Sequence, residues 1–153
     1  MTSPHRQKAA SPRHRSAVPN DACPTCGTKM TETRGRLRLP VNGEVLAVPS
    51  IPHLRCPKCD EVVLRFEEAR RLNVDAIARY RKRHGLLCAD AVREIRKELG
   101  VTQRELARLL RLGGNTLSRW ESGRKVQTAA MDVLRRLIRD LPGSVEYLRR
   151  RAA

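Results

Sequence analysis

Two four-residue stretches, CPTC at 23–26 and CPKC at 56–59, constrain this chain more than anything else in it. Two thiolates spaced by two residues in a tight turn can face one ion, and two such knuckles complete a tetrahedron. The 29 residues between the pairs include LRLPVNGEVLAVPSIP, which alternates apolar and polar positions and carries Asn42-Gly43. That pattern predicts a hairpin from about Arg36 to Val48. Knuckles on a hairpin with little to bury make a zinc-ribbon-like plan, in which the metal stands in for a missing hydrophobic core. Cys23, Cys26, Cys56 and Cys59 are therefore the expected ligands of one structural Zn2+ per chain. Four thiolates leave no open position for a reactive water.

Two other chemistries use such cysteines. Redox-active C-x2-C pairs usually occur once, at a helix start in a βαβ setting. Here both motifs carry proline after the first cysteine and lie in strand-and-turn sequence. Paired CPxC knuckles at this separation also resemble a rubredoxin iron site, an electron carrier. Nothing aromatic lies between Cys23 and Cys59, however, and the segment is basic, which favours zinc. His53, three residues before Cys56, is a substitute ligand that the four cysteines make unnecessary. Cys88 sits beside two leucines and reads as a small buried apolar group.

The 32 Lys+Arg against 16 Asp+Glu leave a net charge of +16 over 153 residues, a field that attracts polyanions, nucleic acid foremost. A membrane-surface role would need a basic amphipathic helix with aromatic anchors, and aromatic residues are 3% of the chain. The same scarcity leaves no material for a large aromatic-lined cofactor pocket. No apolar run approaches the roughly 20 residues of a spanning helix, and the N-terminus lacks an apolar h-region; a cytoplasmic protein is expected. No Ser/His/Asp set, paired carboxylates or Gly-rich phosphate loop occurs, so no enzyme is expected.

The rest of the chain reads as helices. Phe66, Ala69, Leu72, Ala76, Ile77 and Tyr80 form one apolar stripe from Phe66 to His84. Val92, Ile95 and Leu99 mark a second helix that stops at Gly100. Thr102 and Glu105 predict a capping box, with Leu106, Leu109 and Leu110 inward. After RLGG a short helix starts at Gly114 or Asn115, anchored by Leu117 and Trp120. A further helix is expected to bury Ala130, Val133, Leu134, Leu137 and Ile138. Two short helices about a Gly turn make a helix-turn-helix, whose second helix enters the major groove. Anchoring by Leu117 and Trp120 turns Asn115, Ser118 and Arg119 outward, with Asn115 and Arg119 on one face. Those two are the expected base-reading pair, flanked by Thr116 and Ser118. Arg124 and Lys125 follow where phosphates usually lie. One recognition helix covers a half-site, so a dimer on two half-sites is expected.

These readings divide the chain into a disordered basic segment at 1–20, a four-cysteine zinc-binding domain at 21–65, a connecting helix at 66–87 and a helix-turn-helix domain with a C-terminal tail at 88–153. The fold class is α+β, a small zinc-ribbon-like β domain followed by an all-α domain.

TQRELARLLRLGGNTLSRWESGR looks like the Xre/Cro-type helix-turn-helix. Together with the upstream CPTCG…LRCPKCDE, it resembles the MqsA-type antitoxins with their YgiT-type zinc finger. The resemblance implies a repressor that dimerises through its C-terminal domain, binds a palindromic operator of double-stranded DNA and represses its own operon. It places the base contacts on Asn115 and Arg119, a phosphate contact on Gln103, a structural ion pair on Arg96 and Glu121, and the zinc ligands on the four paired cysteines. It further implies that the zinc domain docks a small ribonuclease toxin. A stand-alone regulator with no toxin partner is the alternative, and an electron carrier or thiol oxidoreductase the reading from another class.

Overall fold

The computed structural model describes residues 21–152, so the expected basic segment at 1–20 lies outside the described residues. The architecture is α+β: a three-stranded antiparallel sheet followed by six helices. Strands β1 (Thr31–Val41) and β2 (Glu44–Arg55) form the hairpin, and β3 (Val62–Val63) pairs on the far side of β2. Both long strands run further than Arg36–Val48. Their turn is Asn42-Gly43, with φ of 48° and 84°, the double left-handed geometry that matches strand twist. A register shift between Gly35 and Leu37 bends β1. A Cβ on Gly35 would lie 3.3 Å from the His53 ring, so this close approach suits glycine.

One face of the hairpin turns Leu37, Leu39 and Val41 inward, where they join Leu46, Val48 and Ile51. Helix α1 (Phe66–Arg83) covers that face with Leu72, Ala76 and Ile77. It carries acids in its first turn and bases in its last, matching the helix dipole. The helix expected as a connector is thus a packed layer, and its stripe is shorter than the periodicity predicts. Phe66 is 79% exposed and Ala69 is also exposed, because the first turn lies beyond the sheet's apolar patch. On the opposite face Arg34, Arg36 and Arg38 are exposed along β1, an edge strand. Like charges there, with Pro40, discourage two copies from pairing edge to edge.

The second core belongs to α2 (Ala89–Glu98), α3 (Gln103–Leu109), α4 (Thr116–Glu121), α5 (Ala129–Asp140) and α6 (Ser144–Ala152). Val92, Ile95, Leu106, Leu109, Leu117, Trp120, Ile138 and Val145 meet at its centre. Three expectations need correction. Cys88 is exposed, not a buried apolar group; it is the N-cap of α2, its sulfur accepting from the Ala91 amide at 3.4 Å. The capping box of α3 is half formed. The Thr102 hydroxyl accepts from the Glu105 amide at 3.1 Å, but the Glu105 carboxylate turns to Arg149 on α6 at 2.8 Å. And α5 presents a different face. Ile138 is buried and Leu134 half-buried, while Ala130 is exposed, Val133 is 55% exposed and Leu137 49%.

The cause is polar. Asp132 accepts from the Leu87 amide at 2.8 Å and from Gln127 at 2.9 Å, and Arg135 lies 4.4 Å over the Trp120 ring. Those contacts turn the Asp132–Arg135 side of α5 inward. Val133 and Leu137 are left outside, Leu137 beside Leu141 and Tyr147 at the α5–α6 corner, all of them exposed. Helix α6 falls where the sequence predicts only a tail. It docks through Val145, with the Ser144 hydroxyl donating to the Ile138 carbonyl at 2.7 Å. Among the described residues no helix is long and apolar enough to cross a membrane.

Candidate metal centre and nucleic-acid interface

The first knuckle turns at Gly27, φ 72°, whose amide donates to the Cys23 carbonyl at 2.9 Å. The second turns at Asp60, φ 58°, whose amide donates to the Cys56 carbonyl at 3.1 Å. These matching turns bring all four sulfurs within 4.8 Å of one another. Cys23 to Cys59 and Cys26 to Cys56 are each 3.5 Å, and Cys26 to Cys59 is 3.6 Å. A tetrahedron with Zn–S bonds of about 2.3 Å has sulfur–sulfur edges of about 3.8 Å, so the donor set fits one structural zinc.

The electrostatics agree with that fit. The Thr28 hydroxyl and amide stabilise the thiolate of Cys26 and pull it down to about 6. At Cys59 the Glu61 amide acts in the same sense, but the neighbouring sulfurs and burial outweigh it and push the thiol up to about 12. Four thiols this close ionise together only around a cation. His53 is buried one layer away, its Nδ1 donating to the Ile51 carbonyl at 2.9 Å, and is not among the clustered ligand atoms. Little else holds this end of the sheet. Its apolar cluster is Cys23, Met30, Leu54 and Cys56, with Cys26 and Val63 packed against it.

The second site is built on α4. Leu117 is 1% exposed and Trp120 5%, and the indole Nε1 donates to the Val126 carbonyl at 3.1 Å. With that side inward, Asn115, the N-cap, and Arg119, one turn on, are both exposed. Among the described residues neither side chain has a hydrogen-bond or ion-pair partner. Thr116 and Ser118 are half-buried beside them, Ser118 donating to the Asn115 carbonyl at 3.1 Å. Arg124 and Lys125 are exposed in the loop beyond α4, with Arg124 Nε donating to the Ser122 hydroxyl at 2.9 Å.

Beneath this face, Arg96 grips Glu121 through two bonds, Nε to Oε1 at 2.7 Å and Nη2 to Oε2 at 3.0 Å. Gln103 Nε2 also donates to Glu121 Oε2, at 2.7 Å, so one of its amide hydrogens points into the protein. Arg93 adds a bond to the Glu121 carbonyl at 2.9 Å. The last residue of α4 is thereby tied to α2 and α3. Burial pushes the Glu121 carboxyl up, but the bonds from Arg96 and Gln103 prevail and hold it below the usual range. Its bond to Glu121 raises Arg96 in turn.

A family model for the antitoxin component of bacterial toxin-antitoxin system, MqsA, matches residues 17–149. The chain belongs to the MqsA antitoxin family. The match spans both knuckles and all of α1 to α5, so the metal centre and the helical half belong to one antitoxin. No curated protein matches the chain significantly. Two residues of this MqsA-family chain that shape the second site are not marked out by the sequence pattern. Arg81 and Arg135 are both buried against Trp120 or its backbone. An arginine within an apolar helix pattern is the one signal that pointed to either, and a solvated charge gives the same signal.

Proposed function

We propose that this antitoxin is a cytoplasmic, sequence-specific DNA-binding repressor. It binds a palindromic operator before its own operon as a homodimer and neutralises a ribonuclease toxin through its zinc-bearing half. The observation that carries the DNA reading is the pair Asn115 and Arg119, held outward on α4 with no partner among the described residues. Asparagine can bond adenine at N6/N7 and arginine guanine at O6/N7, each worth roughly 1–3 kcal/mol of discrimination. Arg124 and Lys125 supply phosphate contacts, with Thr116 and Ser118 flanking the bases. Gln103 contributes through its second amide hydrogen, since the first is held by Glu121.

The test is binding to the upstream DNA and to a scrambled duplex of equal length across a salt series. Arg119→Ala is expected to lose roughly 1–3 kcal/mol on the operator and nothing on the scrambled duplex. Arg124→Ala or Lys125→Ala should weaken both equally and lower the salt slope by about one unit. Equal, steeply salt-dependent binding of both duplexes by the unaltered protein would sink the reading.

The exposed face of α5 supports the dimer. Leu137, Leu141 and Tyr147 are half-exposed apolar side chains around a groove between α5 and α6, a patch of the kind that marks a protein interface. Leu137→Asp is expected to sediment as a monomer and to lose operator binding while keeping its hold on scrambled DNA. A dimer that persists unchanged would place the interface elsewhere.

A further inference from the structure

Arg81 ends its helix inside the protein. It lies in the last turn of α1 and is 2% exposed, among the most deeply buried side chains of the chain. Its Nη2 donates to the Trp120 carbonyl at 2.9 Å and to the Lys125 carbonyl at 3.0 Å. Eight residues earlier on α1, Asn73 Nδ2 donates to the Arg124 carbonyl at 3.3 Å. Gly123 lies against the same helix, since a Cβ there would sit 3.4 Å from Val74. Side chains of the helix that covers the sheet therefore hold three carbonyls between Trp120 and Lys125.

Toward α2 and α3 the same segment is held at Glu121, by Arg93, Arg96 and Gln103, and the Arg124 and Lys125 amides turn back to the Arg119 carbonyl. The clamp from α1 adds the tie to the sheet. Helix α4 is six residues long, well below the length at which a helix persists alone, and its last carbonyls have no partners within the helix. A guanidinium at the carbonyl end of a helix satisfies those acceptors and complements the dipole. Holding it there is costly. Burial lowers the Arg81 pKa, against which Cys88 and Asp132 supply only partial compensation, and among the described residues its Nε has no partner. An apolar residue would fill the space at lower cost, but it could not hold two carbonyls.

We infer that Arg81 is a positioning residue for DNA reading. Through it the zinc-bearing half sets the orientation of α4, and with it the direction in which Asn115 and Arg119 point. The inference rests on the DNA-reading proposal above and names a further residue on which that reading depends.

The clamp is tested without DNA by amide hydrogen exchange of full-length, zinc-loaded protein. Arg81→Met should speed exchange at Ser122 to Lys125 while the amides of β2 keep their protection. With DNA, Arg81→Met should bind the operator about tenfold more weakly, a size usual for coupled sites, and leave scrambled-duplex binding unchanged. Arg81→Lys should restore part of the loss.

Coupling to the sheet is read from a double-mutant cycle. Ile51→Ala, which loosens the sheet beneath α1, should weaken operator binding in the native background and have no further effect beside Arg81→Met. If Arg81→Met fails to fold, Asn73→Ala, at a half-buried position of α1, should give the same exchange signature, smaller in size. Native exchange at Ser122 to Lys125 in these variants, or additive effects in the cycle, would overturn the inference. Failure of the unaltered protein to prefer its operator would instead overturn the DNA-reading proposal, with the exchange result still deciding the clamp.

Discussion

Cys56→Ser is expected to abolish stoichiometric zinc binding and unravel the knuckle end of the sheet. Cys56 is fully buried within a cluster of four buried residues, two of them cysteines, and among the described residues no larger core lies behind it to take over. Structural zinc sites contribute an apparent ~10–16 kcal/mol in small domains near neutral pH, and loss of one ligand forfeits a large part of it. The disruption should be bounded. The turn end of the hairpin rests on α1 through Val41, Leu46, Val48, Ile51, Leu72, Ala76 and Ile77, a cluster that holds none of the ligands. Metal content should fall from one per chain toward zero. Exchange protection should vanish from residues 21–33 and 53–63 and persist in α1 and near Asn42-Gly43. Retention of one tightly held zinc in the variant would show that Cys56 is not a ligand. An as-purified protein carrying iron in place of zinc would revive the electron-carrier reading.

Glu121→Ala is expected to cost about 3–5 kcal/mol of stability, the range for removing one partner of a buried ion pair. Glu121 is 2% exposed, and the Arg96 side chain is 16% exposed. The alanine variant leaves a guanidinium and the Gln103 amide facing an emptied acceptor site. The effect depends on pH in a defined direction. The folded carboxyl is held below its ordinary value, by hydrogen bonds from Arg96 and Gln103 that overcome burial. Its contribution is therefore complete above the unfolded glutamate value of about 4.3 and is lost as pH falls through the lower, folded value. Urea titrations at pH 7 and in steps below pH 4 should show the gap between native protein and variant closing only on the acid side. A gap that stays constant to low pH would mean the carboxylate's charge is not what stabilises the fold.

The parts of this molecule legible in its sequence are those where one residue type has one physical use. Paired cysteines two apart, Asn-Gly between alternating strands, and a threonine before a leucine-rich run each name a local geometry. Periodicity failed where apolar residues outnumber buried positions. Helix α5 carries leucine, isoleucine, valine and alanine around much of its circumference, and only Asp132 and Arg135, with partners on Leu87, Gln127 and Trp120, decide which side turns in. Nothing in the spacing of α5 names those partners. The same blindness explains Cys88, whose neighbours in sequence are leucines but whose own place is a helix N-cap facing solvent. It also explains Arg81, indistinguishable in RYRKRH from the exposed bases around it.

Asn115 and Arg119 hold nothing together among the described residues, while the residues that fix α4, Leu117, Trp120 and Glu121, are inside. Exchange of the two outer side chains is therefore insulated from folding. On the proposed DNA reading, copies of such a gene within one genome can drift apart in the address they read through two surface substitutions, with the chassis beneath them unaltered and each copy deaf to its sibling's operator.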